Sequence, residues 1–404
     1  MIGIKFEIDE NTCCQGARKF LAEAIRASML KLKIFRTTRR AEIFNNFKEE
    51  ESLMISKQGW IKKEKYLKIN DIGDYVIDYE GDIDIIDFHT HMSSVLPLKI
   101  NDPNNKGSHV KYSTLPALEN MDLEIPYWHK PNPNKKHKGL VAMIKFSYNG
   151  YKIFQDMIKG GTYDNCFKSQ DENKIKLNVV LPISTQKNDR SLDALKIAEQ
   201  YPQRFVAFCS VHPHDKDLKE KIKKYKSLGA KGLKLKISDM ELKNDFSPLI
   251  KLFKACHEVD LPVIFHTGSI NTIKEKDCSK ILWKLYQSSR VSIFGELLKN
   301  MPRDFKFIFG HSGIQEYKRV AEYLKKYPAT YTELSCQSAE SIKYLMREVG
   351  DERLLFGSDW PALPQAFTLS RVLLATENEK KARENILYNN AHKLLNITTK
   401  HSSK

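Results

Sequence analysis

The stretch Ile83-Asp84-Ile85-Ile86-Asp87-Phe88-His89-Thr90-His91-Met92 decides how the rest of the chain is read. A short apolar run with β-branched residues ends in two histidines one residue apart. On a strand, side chains at i and i+2 share a face, so the imidazoles of His89 and His91 aim at one point. Neutral imidazole is a common ligand of zinc and related ions. Alone, the pair is weak evidence. A chain of 404 residues with 12 histidines shows about one-third of a His-x-His by chance, and this one has a second, His212-Pro213-His214.

Beyond residue 83 a rhythm sets in. β-type runs at 83–88, 177–183, 205–211, 231–237, 262–266, 306–311, 329–335 and 353–358 alternate with amphipathic helical patterns such as 192–200 and 317–326. Eight strands alternating with helices predict an α/β fold, a parallel (β/α)8 TIM barrel. A closing helix over 382–395 presents Ile386, Leu387, Ala391, Leu394 and Leu395 on one face. The barrel domain is expected to span 83–404. About 80 residues separate the first two strands, far more than a barrel loop needs. This insertion, 95–176, contains the Pro-rich run Tyr127-Trp128-His129-Lys130-Pro131-Asn132-Pro133-Asn134 and a helical segment at 140–158. A βα loop lies on the face where barrels keep their active sites, so the insertion is expected to act as a lid or substrate wall.

Residues 1–82 form an N-terminal extension: a helical pattern at 15–50, carried by Ala17, Phe20, Leu21, Ala24, Ile25 and Met29, then two short strands around a turn at 70–74. With 41% hydrophobic residues the chain can build a sizeable core. No apolar run approaches the ~20 residues that cross a bilayer. Acids stand where a signal peptide would carry its basic region, which predicts a soluble, cytoplasmic protein without membrane partners. Seven scattered cysteines without a Cys-x-x-Cys argue against a disulfide framework and a thiolate zinc site. The net charge of +16 invites nucleic acid as a partner, but the lysines read as solvated helix faces, and the local basic patch is confined to 31–40. The expected partner is a small-molecule substrate; a homo-oligomer is compatible with the sequence.

Polar residues recur at the ends of the barrel runs. His89 and His91 end the first, His266 the fifth and His311 the sixth, and Asp359 follows the eighth. A parallel barrel gathers all of these at one rim around one cavity, where four histidines and a carboxylate suit a divalent metal. The motifs Asp87-Phe88-His89-Thr90-His91, Gly232-Leu233-Lys234-Leu235, Leu261-Pro262-Val263-Ile264-Phe265-His266-Thr267-Gly268, Gly310-His311-Ser312-Gly313 and Leu355-Phe356-Gly357-Ser358-Asp359-Trp360-Pro361 resemble those of the amidohydrolase superfamily, in its amidohydrolase-related, aminocarboxymuconate-semialdehyde decarboxylase-like branch. The likeness covers roughly residues 83–397. It implies that His89, His91, His266 and Asp359 hold one divalent ion, with zinc first and manganese or iron next, and that Asp359 and His311 are catalytic. Members of this superfamily hydrolyse C–N, C–O or C–C bonds, hydrate double bonds, or decarboxylate acids without oxidation.

Two departures bear on substrate. Lys234 and Lys236 alternate with Leu233, Leu235 and Ile237, so both are expected to point into the barrel and meet an acidic substrate group or the opposing carboxylates. Either one also reopens a two-metal site bridged by a carboxylated lysine. His212, at the rim after the third strand, is a further substrate-contact candidate. The leading expectation is a metal-dependent hydrolase that uses an ion-activated water on a small anionic substrate. The alternative is non-oxidative, metal-dependent decarboxylation of an aromatic or unsaturated acid. A metallo-nuclease lacks its usual glutamate ligand and Glu-Thr-Asp motif here, and intact ligand positions argue against a non-catalytic nucleic-acid-binding protein.

Overall fold

The computed structural model describes residues 64–71, 73–95, 122–126, 159–185, 188–236, 245–268 and 290–397. The helix expected at 15–50, the Pro-rich run at 127–134 and the helical segment at 140–158 lie outside the described residues, and so does most of the insertion expected to form a lid.

Strands β1 (Leu67–Ile69) and β2 (Tyr75–Ile77) pair antiparallel, with Leu67 opposite Ile77. Asn70 makes the turn between them: its side-chain oxygen accepts from Asp74 N at 2.9 Å, across the loop that joins the two strands. Two short strands around residues 70–74 are expected from sequence, and the structure pairs them as a hairpin.

Eight parallel strands follow among the described residues: β3 (Ile86–Thr90), β4 (Leu177–Val180), β5 (Phe205–Ala207), β6 (Leu233–Leu235), β7 (Val263–His266), β8 (Phe307–Gly310), β9 (Thr330–Glu333) and β10 (Leu354–Leu355). Ladders run β3-β4-β5 and β6-β7-β8-β9-β10. A parallel bridge from Cys209 to Leu233 joins the two sheets, and one from Thr90 to Trp360 closes the ring. The closing seam carries Phe88 N to Phe356 O at 2.8 Å, Asp359 N to His89 O at 2.9 Å and His91 N to Trp360 O at 2.6 Å. The result is a closed (β/α)8 barrel.

Alternation along each strand sorts the side chains into two layers. Phe88, Val179, Phe208, Ile264, Ile308 and Leu355 form one apolar cluster inside the barrel. Their neighbours of opposite parity, such as Leu233, Val263, Phe265, Phe307 and Phe309, pack outward under the helices. There Phe253 and Phe294, from two of the covering helices, interleave with Phe307, at ring separations of 5.8 and 5.2 Å. Each fully buried phenylalanine contributes roughly 1.5–3 kcal/mol of burial.

The covering helices are α1 (Tyr163–Glu172), α2 (Ser191–Gln200), α3 (Leu218–Ser227), α4 (Ser247–Glu258), α5 (Ser292–Lys299), α6 (Tyr317–Lys326), α7 (Ala339–Val349) and α8 (Gln365–Ala375). α7 shows why a helix starts and stops where it does. The Ser338 hydroxyl caps Ser341 N at 3.2 Å, and Gly350 ends the helix at φ 74°, a conformation that other residues rarely adopt. The closing helix runs as α9 (Lys380–Glu384) and α10 (Asn390–Leu395), and a π turn, Asn385–Asn389, interrupts the single helix expected from sequence. Ile386 gives its carbonyl to Phe356 N at 3.0 Å, which anchors this turn to the end of β10.

The hairpin packs on α8 through Leu67 and Tyr75, which meet Leu363, Ala366, Phe367 and also Leu123 and Cys336. Beside this cluster the wholly buried guanidinium of Arg371 reaches Glu64 at 2.8 Å and Glu124 at 2.5 Å. Among the described residues, no helix is long and apolar enough to cross a membrane.

Candidate active site

A register shift in β3 aims the first two histidines. Asp87 pairs with Asn178, but Thr90 pairs with Val180, so β3 has one residue more than its partner. Such a bulge breaks strict alternation. Phe88 packs into the interior cluster against Phe208, and the very next side chain, His89, reaches Lys234 and Glu333 across the barrel. His91 follows on the same side, with its Nε2 3.2 Å from His89 Nε2.

Asp359 completes a triangle. Its Oδ1 is 3.4 Å from His89 Nε2 and 3.3 Å from His91 Nε2. Atoms that bind one tetrahedral ion at ~2.1 Å stand about 3.4 Å from each other, so the three edges have ligand spacing. The far side of each imidazole is already committed. His89 Nδ1 meets the Glu333 carboxylate at 2.7 Å, and His91 Nδ1 meets the Leu181 carbonyl at 2.6 Å. Both partners accept hydrogen, so both rings carry it on Nδ1 and present a bare Nε2. Two bare lone pairs and a carboxylate oxygen at this spacing repel one another unless a cation is near; Lys234 Nζ, 2.9 Å from His89 Nε2, relieves part of this, and a divalent ion among the three would relieve the rest. The donor set therefore fits a divalent ion.

Protonation states agree with that fit. Burial lowers His91, and lowers His89 well below the ordinary imidazole range, with Lys234 adding to the effect on His89. Burial pushes the Asp359 carboxyl up, yet His89, His91 and His311 outweigh it and leave it well below the usual carboxylate range. Neutral imidazoles beside an ionised carboxylate are the metal-binding forms.

The remaining histidines stand in series. The His311 ring lies over His89 at 4.7 Å, and ligand atoms of His89, His311 and Asp359 all come within 4.8 Å of one another. His266 Nδ1 is 2.8 Å from His311 Nε2. Burial brings His311 down to about 3, and lowers His266 well below its ordinary value with His311 second as a cause. His311 (φ 57°) and Ser312 (φ 46°) occupy the left-handed region after β8, as Asp359 (φ 64°) does after β10. Non-glycine residues there cost on the order of 1–3 kcal/mol each and concentrate where a site fixes its side chains.

The two lysines part company. Lys234 is fully buried, with Nζ 2.9 Å from His89 Nε2, and burial lowers it to about 8. β6 ends at Leu235, and Lys236 just beyond it is exposed, while its charge acts on His89 and His266. His212 is half-buried, and its Nδ1 accepts from His214 N at 3.2 Å.

Sequence reasoning passed over Glu333, which has no exposed surface. It accepts from His89 Nδ1, from His311 N at 2.9 Å, from Ser335 N at 2.5 Å and from Ser335 Oγ at 3.1 Å. Gly357 makes room for it, since a Cβ there would meet the Glu333 carboxylate at 2.4 Å. Asp87, at the head of the Asp-Phe-His-Thr-His motif, carries no role that the sequence alone reveals. It takes Ser358 Oγ at 2.6 Å, Gln365 Nε2 at 2.7 Å, Ser358 N at 2.9 Å and His89 N at 3.1 Å. It thereby staples the strand bearing His89 to the loop bearing Asp359. Burial pushes its carboxyl up to about 7.

A parallel eight-stranded barrel with histidines and an aspartate converging at the strand ends defines a metal-dependent barrel enzyme. The chain belongs to the amidohydrolase family, whose model matches residues 167–397. That family is metal-dependent, and the protein is an enzyme of it. The curated proteins give no match. Among solved structures, an uncharacterised TIM-barrel protein from Bordetella bronchiseptica is similar at 16% identity, with a TM-score of 0.50 over 78% of this chain and 99% of that one. The 2,6-dihydroxybenzoate decarboxylase from Rhizobium shares 14% identity at a TM-score of 0.49, covering 60% of this chain and 91% of its own. A 5-carboxyvanillate decarboxylase from Novosphingobium aromaticivorans, solved with bound manganese, shares 16% identity at 0.48, covering 64% and 89%. At these identities the likeness is one of fold.

Proposed function

We propose that the protein is a metal-dependent lyase that decarboxylates a small aromatic or unsaturated acid without oxidation. The observation that carries this is the buried ammonium of Lys234 beside the ligand triangle, above an apolar floor that includes Phe88, Phe208 and Ile264. A buried cation is stabilised by anions; the charges of Asp359 and Glu333 act on Lys234 in this way, and a substrate carboxylate over an apolar ring or chain would add a third. The decarboxylases of similar fold name the chemistry to test first; the proposal rests on Lys234.

In this proposal His89, His91, His266 and Asp359 hold the ion, zinc or manganese, both of which nitrogen and oxygen donors accept. When bound, the ion supplies a Lewis acid for a substrate oxygen. Lys234 fixes the departing carboxylate, and the apolar floor favours the uncharged CO2 that leaves. The balance is R–COO⁻ + H⁺ → R–H + CO2. Asp359, partly open to solvent, and His311 handle the proton that replaces the carboxyl group. Lys236 and His212, at or beyond the rim, are proposed as outer substrate contacts.

Hydrolysis is the second proposal, favoured by the ionised Asp359 carboxylate, which suits a base acting on water. Metal-reconstituted protein offered hydroxybenzoates and unsaturated diacids in D2O separates the two. Decarboxylation releases CO2 and leaves deuterium at the vacated carbon. Turnover of lactones or amides, with no CO2 from any acid, would replace decarboxylation with hydrolysis.

A further inference from the structure

Glu333 and Ser335 form a directional hydrogen-bond chain that ends at the ion site. Ser335 Oγ stands 3.1 Å from Glu333 Oε2 and 2.5 Å from His311 Nδ1, and His311 Nε2 stands 2.8 Å from His266 Nδ1. A serine hydroxyl owns one hydrogen, and a neutral imidazole owns one as well. The chain therefore has two self-consistent states.

In the first, Ser335 donates to Glu333. His311 Nδ1–H must then donate to Ser335, and the bare His311 Nε2 accepts from His266 Nδ1–H. His266 is left with a bare Nε2. In the second, Ser335 donates to His311 Nδ1. Every hydrogen downstream reverses, and His266 carries its proton on Nε2, where no lone pair remains for an ion.

We infer that Ser335 and Glu333 are positioning residues that hold the chain in the first state, which makes His311 the orienting partner of His266 and not itself a metal ligand. Three features support this. A hydrogen bond to a charged acceptor is roughly twice as strong as one between neutral groups, so the Ser335 hydroxyl is drawn to the carboxylate. Glu333 also fixes His89 directly, so one carboxylate sets two rings for the same task. Gly310, ahead of His311, lets the two strands close up: a Cβ there would meet the Phe265 carbonyl oxygen at 2.7 Å. That approach brings the His266 and His311 rings to 4.5 Å. The inference rests on the ligand set proposed above and goes beyond it by naming what enforces that set.

The test reads tautomers, not turnover. Protein carrying ring-15N histidine is examined by NMR free of metal and loaded with zinc, with His266→Asn and His311→Asn spectra as assignments. In metal-free wild type His311 and His266 are both expected as Nδ1–H tautomers. Ser335→Ala removes the acceptor, so both rings shift toward Nε2–H, and zinc affinity in chelator competition falls about 10-fold or more. Ser335→Thr keeps a hydroxyl and is expected to restore both readouts. A wild-type His311 protonated at Nε2, or a Ser335→Ala protein with unchanged tautomers and affinity, overturns the inference. The wild-type spectrum decides even if Ser335→Ala does not fold. A protein inactive on every acid would end the decarboxylase proposal and leave these measurements standing.

Discussion

Lys234 Nζ sits 2.9 Å from His89 Nε2, so a fully buried ammonium faces the nitrogen that the ion site requires. Burial lowers this lysine from 10.5 to about 8. Between those pH values the unfolded chain still binds the proton and the native chain does not. Metal-free protein is therefore expected to gain stability from this group as pH rises from about 8 to 10.5. Below about 8 the native state bears the full cost, up to about 3 kcal/mol at 1.36 kcal/mol per unit. Lys234→Met is expected to be more stable than wild type at neutral pH and to lose this rise. Urea midpoints across pH, in chelator, measure it. Parallel curves for the two proteins would refute the assignment.

The triangle of His89 Nε2, His91 Nε2 and Asp359 Oδ1 predicts about one divalent ion per chain. Elemental analysis of protein purified without chelator is the measurement. His91→Ala or Asp359→Asn removes one corner and is expected to lower the ion content sharply at equal total metal, with the helical signal retained. Full occupancy in both variants would place the ion elsewhere.

The sequence made the barrel legible because its strands are short β-branched and aromatic runs with polar residues at their ends. His266 and His311 close such runs, and both lie where the rhythm places them. Three features were not legible. The bulge after Asp87 lets Phe88 and His89 face inward in succession, which a period of two forbids. Lys236 repeats the pattern of Lys234, but hydrogen bonding ends at Leu235, and no local signal marks that end. Glu333 follows Thr330-Tyr331-Thr332, where strict alternation reads equally well with the carboxylate facing solvent. Its pairing with the inward-facing Leu355 of β10 settles that it points at His89. A carboxylate ending an inward-facing strand pattern was the available signal.

Arg371 joins regions distant in sequence, Glu64 before the hairpin and Glu124 in the insertion, through one buried guanidinium. Glu124 is half exposed, so Glu124→Gln is expected to cost little, about 0–1 kcal/mol. Arg371→Ala removes both pairs and opens a void among packed side chains, for which roughly 3–5 kcal/mol is expected. Thermal unfolding of the two variants checks the contrast. Equal, small losses would mean that the guanidinium is solvated.

His311 and His266 touch each other, yet the roles proposed for them differ, and paired substitutions separate the roles. His266→Asn deletes a proposed ligand and is expected to lose both ion and activity. His311→Asn removes the ring that orients His266 and that is proposed to share in handling the proton. It is expected to keep the ion with affinity reduced about 10–100-fold, the usual effect of losing a partner of a ligand. At saturating metal its rate is expected to fall about 10²- to 10⁴-fold, the contribution typical of acid–base groups. Ion content by elemental analysis, affinity by chelator competition and kcat at saturating metal are measured on the same preparations. If His311→Asn sheds its ion as readily as His266→Asn, His311 is a ligand alongside His89 and Asp359, whose donor atoms lie within 4.8 Å of its own. The proton would then have to be handled by Asp359 alone.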